Sequence, residues 1–161
     1  MMQQRKQIKL RRVVEADADF LWHLANDPVV REASFSTATI PWQEHLKWLR
    51  ARLDDPSCIF FVALNEDNAP IGQVRFDIKN KDAVISVSIK KEYRGKGHGT
   101  SLIQASSKKV FSNNAIVKVH AYVKNNNQSS MSSFLKANFK LIGQANIENQ
   151  EAMHLIKEKG K

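Results

Sequence analysis

Residues 83–90 (AVISVSIK) alternate apolar and polar side chains and run almost at once into 92–102 (EYRGKGHGTSL), where Gly95, Gly97 and Gly99 are spaced by Lys96 and His98. Alternation with a period of two marks a strand with one buried face. The residues from Gly97 to about Phe111 carry helical apolar spacing. A loop so poor in side chains, set between a strand and a helix, exposes backbone N–H groups to whatever lies above it, and the helix start adds partial positive charge. This chain must therefore fold around a strand–loop–helix unit built to receive an anion.

The flanking segments supply the rest of a sheet. Upstream, QIKLRRVV is β-branched and apolar and leads into EADAD, which reads as a first strand running into an acidic helix start. Phe20, Leu21 and Leu24 recur at helical spacing, and NDP at 26–28 ends that helix, because the residue before proline is pushed out of the helical region. A polar loop, REASFSTAT, precedes a second helix that has Pro41 in its first turn and Trp42, Leu46, Leu49 and Leu53 on one face. CIFFVAL, IGQVRFDI and AVISVSIK, separated by the turn-rich NEDNAP and KNKD, form an antiparallel meander. After the glycine loop and its helix come a strand (AIVKVHAYV), a short helix with Met131, Phe134 and Leu135 on one face, and two closing strands (KLIG and EAMHLIK). The order β-α-α-β-β-β-α-β-α-β-β describes an α/β chain of the α+β kind, with a mixed, mostly antiparallel seven-stranded sheet and about four helices. No repeat or Pro/Gly-rich linker divides it, so 1–161 is expected to be one domain.

Composition narrows the chemistry. The 25 Lys and Arg against 16 Asp and Glu leave a net charge of +9, which favours anionic partners: nucleic acid, a phosphorylated cofactor or a phosphate-bearing substrate. The cations are spread over every segment with no dense stripe, which argues against a nucleic-acid-binding module. The lone Cys58 lies in an apolar run and reads as a buried small hydrophobe. The five histidines form no His-x-x-x-His pair and have no second cysteine to join them, so no metal is expected. No apolar run has the length of a membrane span and the basic N-terminus lacks a secretory pattern, which sets the expectation of a cytoplasmic protein.

The glycine loop excludes two nucleotide folds. A Walker loop needs Gly-Lys-Ser/Thr, absent here, and a dinucleotide fingerprint needs a glycine where Thr100 stands. What remains is Arg-x-x-Gly-x-Gly at residues 94–99, followed later by Asn127, Ser130, Phe134, Lys136 and Phe139. The two motifs, in this order and with this order of elements, resemble the GCN5-related N-acetyltransferases (GNAT) over nearly the whole chain. That resemblance implies an acetyl-CoA cofactor whose pyrophosphate sits on the amides of Gly95, Lys96, Gly97, His98, Gly99 and Thr100, with Arg94 adding charge. It implies that Val87, Ser88 and Ile89 meet the pantetheine arm in a splay of the sheet, and that Asn127, Ser130 and Phe134 form the second cofactor element. Many relatives carry a tyrosine where Phe134 stands, which protonates the departing thiolate; Phe134 has no proton to give, so either Ser130, Tyr122 or water takes that role or the thiolate leaves unassisted, as its modest basicity permits.

Direct acetyl transfer requires a neutral amine held in line with the thioester, and no nucleophilic side chain. Asp77 is a candidate general base or amine-orienting group, with Glu92 and a water chain as rivals. Asn26, Asp27, Arg31, Ser34, Phe35, Ile40, Glu44, His45, Trp48 and the run 75–77 resemble in their order the N-acetyltransferases of nucleotide-linked amino sugars on the way to pseudaminic and related nonulosonic acids. That resemblance implies a uridine diphosphate sugar, with Arg31 and His45 on its phosphates, Phe35 or Trp42 under its base, and Trp48 and Arg75 nearby. Each residue also has a purely structural use: the tryptophans as core, Arg31 in a surface pair, Arg75 and Asp77 paired with each other. The early LRRVVEADADFLWHLANDP pattern is shared with ribosomal-protein N-terminal acetyltransferases, which keeps a peptide amine as an alternative acceptor. The chain is expected to act as a monomer or homodimer on a small-molecule amine.

Overall fold

The structure is a computed structural model that describes residues 7–113 and 115–160; the basic stretch 1–6 lies outside the described residues. The chain runs through β1 (Lys9–Arg12), α1 (Ala18–Ala25), α2 (Pro28–Ala33), α3 (Trp42–Asp54), β2 (Cys58–Leu64), β3 (Pro70–Lys79), β4 (Asp82–Ile89), α4 (His98–Phe111), β5 (Lys118–Lys124), α5 (Gln128–Lys136), β6 (Lys140–Ile147) and β7 (Gln150–Glu158). The strands make one seven-stranded sheet in the order β1-β2-β3-β4-β5-β7-β6. Every pairing is antiparallel except β4 with β5, as the central α4 crossover demands.

Among the described residues there are five α-helices, where about four were expected. Asn26 does end α1, but Pro28 then begins α2, because the Asp27 side chain accepts from the N–H groups of Val29 (2.9 Å) and Val30 (3.3 Å). A proline in a first turn costs no hydrogen bond, so the Asp-Pro pair that stops one helix starts the next. Part of the segment expected as polar loop is thus helical. What remains of it, 34–41, folds back so that Ile40 exchanges hydrogen bonds with Asn26 (2.7 and 3.0 Å) and accepts one from the Trp22 indole (2.8 Å).

Side chains alternate across the sheet and build two cores. Val74, Phe76, Ala83, Val119, Ala121 and Leu155 bury themselves with Leu102, Ile103 and Val110 of α4 and Phe134 of α5. On the other face a smaller core holds Val13, Ala18, Leu21, Leu49, Cys58, Phe60 and Val62 beneath α1 and α3. Cys58 is buried there and its thiol is pushed above the usual range, first by that burial and then by the charge of Asp77. Because the second core covers only the β1–β3 half of its face, the β4–β5 half is left for the site.

Candidate active site

The site begins where two neighbouring strands stop pairing. β4 and β5 share only the rungs Asp82↔Lys118, Ala83↔Val119 and Val84↔His120, yet β4 continues to Ile89 and β5 to Lys124. Right-handed twist drives the two strands apart beyond Val84, and a wedge opens through the sheet. Its walls are strand edges whose backbone groups are free to pair with an extended ligand. The wedge is part of a cavity of about 1140 Å³ that runs from the glycine loop, past Ser86, Val87, Ser88 and Ile89, to the space under α2 and α3.

At the wide end, Gly95 and Gly97 hold φ values of 74° and 87°, a region that side chains with a Cβ rarely enter. Gly97 is the N-cap of α4 and no side chain caps it; the first intrahelical bond is Ser101 N–H to Gly97 O, 3.2 Å. The amides of the first turn are therefore unspent and face the cavity with the helix's positive end behind them. Gly99 lets this end lie against α5: a Cβ there would stand 3.4 Å from Ser133 Oγ and 4.0 Å from Ile89 Cγ1. Asn127 caps α5, its Oδ1 accepting from Ser130 N–H at 3.2 Å. An uncapped helix start, two left-handed glycines and a wedge of open strand edges fit a diphosphate carrying a long amide-bearing arm.

Arg94 does something different from what its position in the motif suggests. Its Nε donates to Ile89 O (2.9 Å), and Nη2 lies 3.0 Å from Asp27 Oδ1 as an ion pair without hydrogen-bond alignment, leaving that buried nitrogen short of a partner. Burial works to raise the Asp27 carboxyl, but Arg94 and the N–H groups of Val30 and Val29 outweigh it and hold it below the usual carboxylate range. Arg94 therefore braces the glycine loop against the end of β4 and the start of α2.

At the opposite end, Arg75 lies over the rings of Trp48 (5.0 Å) and Phe60 (5.9 Å). Its Nε is taken by Asp77 (3.1 Å), and its Nη groups have no hydrogen-bond partner among the described residues. Arg31 is spent: Nε on Ala25 O, Nη1 on the carbonyls of Ser36 and Ala38, Nη2 on Ser34 Oγ. Its work is to knit α1 to the 34–38 loop, and burial lowers its affinity for the proton. His45 is only 2% exposed, with Nε2 donating to Ala18 O at 3.1 Å; burial holds it below the usual imidazole range, so it is neutral. It packs between Trp42 and Trp48, each about 6.0 Å away, and supplies no charge for a phosphate. Phe35 is held over the cleft by Gln150, which donates to its carbonyl, while Lys124 donates to Glu32 O and reaches the Phe35 ring.

The sequence profile of the acetyltransferase (GNAT) domain matches residues 7–140. The chain belongs to the GNAT acetyltransferase family. Solved structures with the same fold include the aminoglycoside acetyltransferase AAC(6')-Ib with coenzyme A and kanamycin, at a TM-score of 0.84, 18% identity and 95% coverage of both chains. The spermidine N-acetyltransferase of Vibrio cholerae with coenzyme A and spermine has a TM-score of 0.86 and 20% identity, over 96% of this chain and 97% of that one. No curated protein matches the sequence closely enough to be compared with it.

This GNAT domain lines its cleft with most of the residues singled out from sequence. Val87, Ser88 and Ile89 form one wall; Arg94, Gly95, Gly97, Gly99 and Thr100 form the loop end; Asn127, Ser130 and Phe134 come from α5. Arg31, Phe35, His45, Trp48 and Arg75 line the other end, although Arg31 and His45 do so with their polar atoms already engaged. Five expected residues are not in the lining; one is Trp42, expected under the base, which packs against Trp22 and the core beneath α1 and α3 instead. Lys96 is exposed at the tip of the loop, and His98 turns back so that Nδ1 meets Tyr93 O at 3.1 Å. Glu92 is exposed in the single turn Lys91–Tyr93, on the solvent side of the loop. Asp77 lies beyond Arg75 along β3 and is held between Arg75 and Arg52 (3.6 Å), which gives it a structural task and keeps it out of the cleft. The cleft also contains Gln73, Ser86, Glu44 and Glu148, to which the sequence reading gave no role in binding, and Tyr122, named there as a candidate proton donor. The signal for two of them was present: Gln73 alternates with Arg75 on one strand face, and Glu44 precedes Trp48 by one helical turn. Among the described residues no cluster of three or more His, Cys, Asp or Glu side chains could hold a metal ion, and no helix is long and apolar enough to cross a membrane.

Proposed function

We propose that this GNAT domain is an acetyl-CoA-dependent N-acetyltransferase whose acceptor is the primary amine of an anionic small molecule, a nucleotide-linked amino sugar. The observation that carries the reading is the two-ended cleft: free helix-start amides at one end, a half-buried and partly unpaired Arg75 at the other, and an open wedge of the sheet between them. When bound, acetyl-coenzyme A supplies an acetyl group already activated as a thioester. The loop 95–100 and the start of α4 would hold the diphosphate with backbone N–H groups, with the charge of Arg94 beside them. The edges of 85–89 and 121–124 would pair with the amides of the arm, and backbone N–H groups along 87–89 would serve as preorganised donors. Ser130, whose backbone is fixed by Asn127, offers a hydroxyl beside the apolar Phe134.

The acceptor end supports an anion better than a polycation. At that end Arg75 is the cation that keeps free donors, because Arg31 is engaged by carbonyls and Ser34, while Arg94 and Lys136 lie toward the cofactor end of the cleft, whose lining also holds Glu44 and Glu148. Arg75 stacks on Trp48 and Phe60, a flat surface on which a base or sugar face can rest, with Nη groups directed at a phosphate. The experiment is a mass-spectrometric screen for the gain of one acetyl group on UDP-glucosamine, glucosamine, spermidine, kanamycin and a peptide with a free N-terminus. Acetylation of UDP-glucosamine in preference to glucosamine supports an anionic acceptor. Preference for spermidine or kanamycin refutes that part and leaves a cationic amine, and a failure to bind coenzyme A by calorimetry refutes the whole.

A further inference from the structure

On the acceptor side of the sheet, at the point where β4 and β5 part, lies a set of side chains that the reading above leaves unused. Val84↔His120 is the last rung of the shared ladder. Asp82, on the same face as Val84, brings Oδ2 to 2.7 Å from His120 Nε2. The other ring nitrogen, Nδ1, lies 2.8 Å from Nε2 of His154 on β7. Tyr122, next on that face of β5 and directly opposite His154, stacks on the His154 ring with centroids 4.5 Å apart and planes inclined by 21°. Its ring is also parallel to that of His120 within 7°, at 6.4 Å.

Tyr122 is the partition between two spaces. One is the cleft; the other is a shallow outer groove lined by Asp77, Lys79, Lys81, Asp82 and His120. Its hydroxyl has no partner among the described residues, and Tyr122 is the first cleft residue of β5 past the closed end of the wedge. From Ile89 to Val84 the strand descends about 16 Å at ~3.3 Å per residue, so a ligand anchored at the glycine loop and laid along β4 delivers its far end here.

We propose that Tyr122 contacts the reacting end of the acceptor, its phenol oxygen accepting a hydrogen bond from the amine N–H, and that the Asp82–His120–His154 chain is the positioning device that holds its ring in the cleft wall. The inference rests on the acetyltransferase reading. An N–H accepted by oxygen fixes the amine's orientation so that its lone pair points along the wedge, and an uncharged acceptor does this without favouring the ammonium form. The chain can carry one proton between its imidazoles but not two. With one, on either of the two facing nitrogens, the contact holds, and Asp82 accepts from His120 Nε2. With a second, on the other, two N–H bonds meet head to head and the 2.8 Å contact is lost. Burial, then His120, then Lys118 hold His154 below the usual imidazole range, so this loss falls on the acid side of neutrality. Among the described residues, the charged groups around the chain include Asp82, Asp77, Lys79 and Lys81 in the groove, Lys118 along β5 and Glu158 opposite Lys118 on β7, while the β6 residue opposite His154 is Gly143, which adds none.

The test uses the full chain, acetyl-CoA and ethanolamine at high concentration as a generic primary amine, with thiol release as readout. Tyr122→Phe keeps the stack and should lower kcat/KM for ethanolamine about tenfold, one lost hydrogen bond, with coenzyme A affinity by calorimetry unchanged. His154→Phe keeps a stacked ring without titration and should remove the acid limb of the kcat profile; Asp82→Asn, at a half-exposed position, should move that limb to lower pH. In NMR spectra without any ligand, the Tyr122 ring protons should shift with pH in the unaltered protein and less in His154→Phe, where His120 is the one imidazole left beside the ring. Unchanged turnover in Tyr122→Phe, or an acid limb that survives intact in both other variants, overturns the inference and leaves the acetyltransferase reading standing. An unaltered protein that releases no amine-dependent thiol overturns both.

Discussion

Gly72→Ala should cost far more than the methyl group it adds. Gly72 lies within β3 opposite Ile89 of β4, and a Cβ at this position would stand 2.4 Å from Ser88 O, 3.1 Å from Ile89 Cδ1 and 3.3 Å from Ile89 Cα. The Ile89 Cδ1 can rotate away; the other two atoms are backbone and can yield only if the strand moves. A carbon sits about 3.3–3.6 Å from a carbonyl oxygen, so the strands must part by about 1 Å at this rung. Overpacking of this kind costs about 1–3 kcal/mol, and each ladder hydrogen bond stretched out of range adds about 1 kcal/mol. The entropy that alanine removes from the unfolded chain returns about 0.4–1 kcal/mol. The net is a destabilisation of roughly 2–3 kcal/mol, which for a domain of this size lowers Tm by about 4–12 °C. Scanning calorimetry and urea unfolding measure it, the latter with an unchanged slope. Because the displaced backbone is the Ser88–Ile89 wall of the cleft, coenzyme A affinity should fall as well. A variant as stable as the unaltered protein would refute the close approach of β3 and β4 and the rigidity assigned to that wall.

Three further outcomes follow from single contacts. Arg94→Ala should weaken coenzyme A binding about tenfold by calorimetry, whereas Asp27→Asn, which keeps the α2 cap and releases the guanidinium from its carboxylate, should not; equal losses would show that Arg94 acts only through Asp27. Asn127→Ala should lose about 1 kcal/mol of stability with its cap, and melting without change would show that α5 does not need it. His45 is held neutral in the folded chain by burial, while in the unfolded chain it takes a proton as pH falls through ~6.5. The unfolded state then binds more protons, so stability present above that pH is lost below it. Urea midpoints between pH 7 and 5 should fall, and fall less in His45→Gln; a parallel decline in both would assign the slope to His154 and other groups.

The seven strands and the glycine loop were legible because their signals are local. Strand alternation and turn residues record which face of each segment is buried, and Gly95 and Gly97 mark positive φ angles that a few neighbouring residues decide. The second helix, α2, was misread for an equally local reason: Asp27-Pro28 satisfies the rules for ending one helix and for beginning another. The acceptor side was harder to read. Arg31 and His45 look like phosphate ligands when only residue type is known, but carbonyls of Ala25, Ser36 and Ala38 claim the first and burial against α1 claims the second.

By itself the sequence determined the alternation of elements, the anion-receiving bend and the excess of positive charge, since each depends on residues a few positions apart or on a simple sum. Tertiary structure decided how far β4 and β5 pair before they part, which cations keep a free donor, and that Asp82, His120, Tyr122 and His154 meet at the closed end of the wedge. Those outcomes depend on sheet twist and on the crossing of segments up to 72 residues apart along the chain, where no local pattern in side-chain type reports who the neighbour will be.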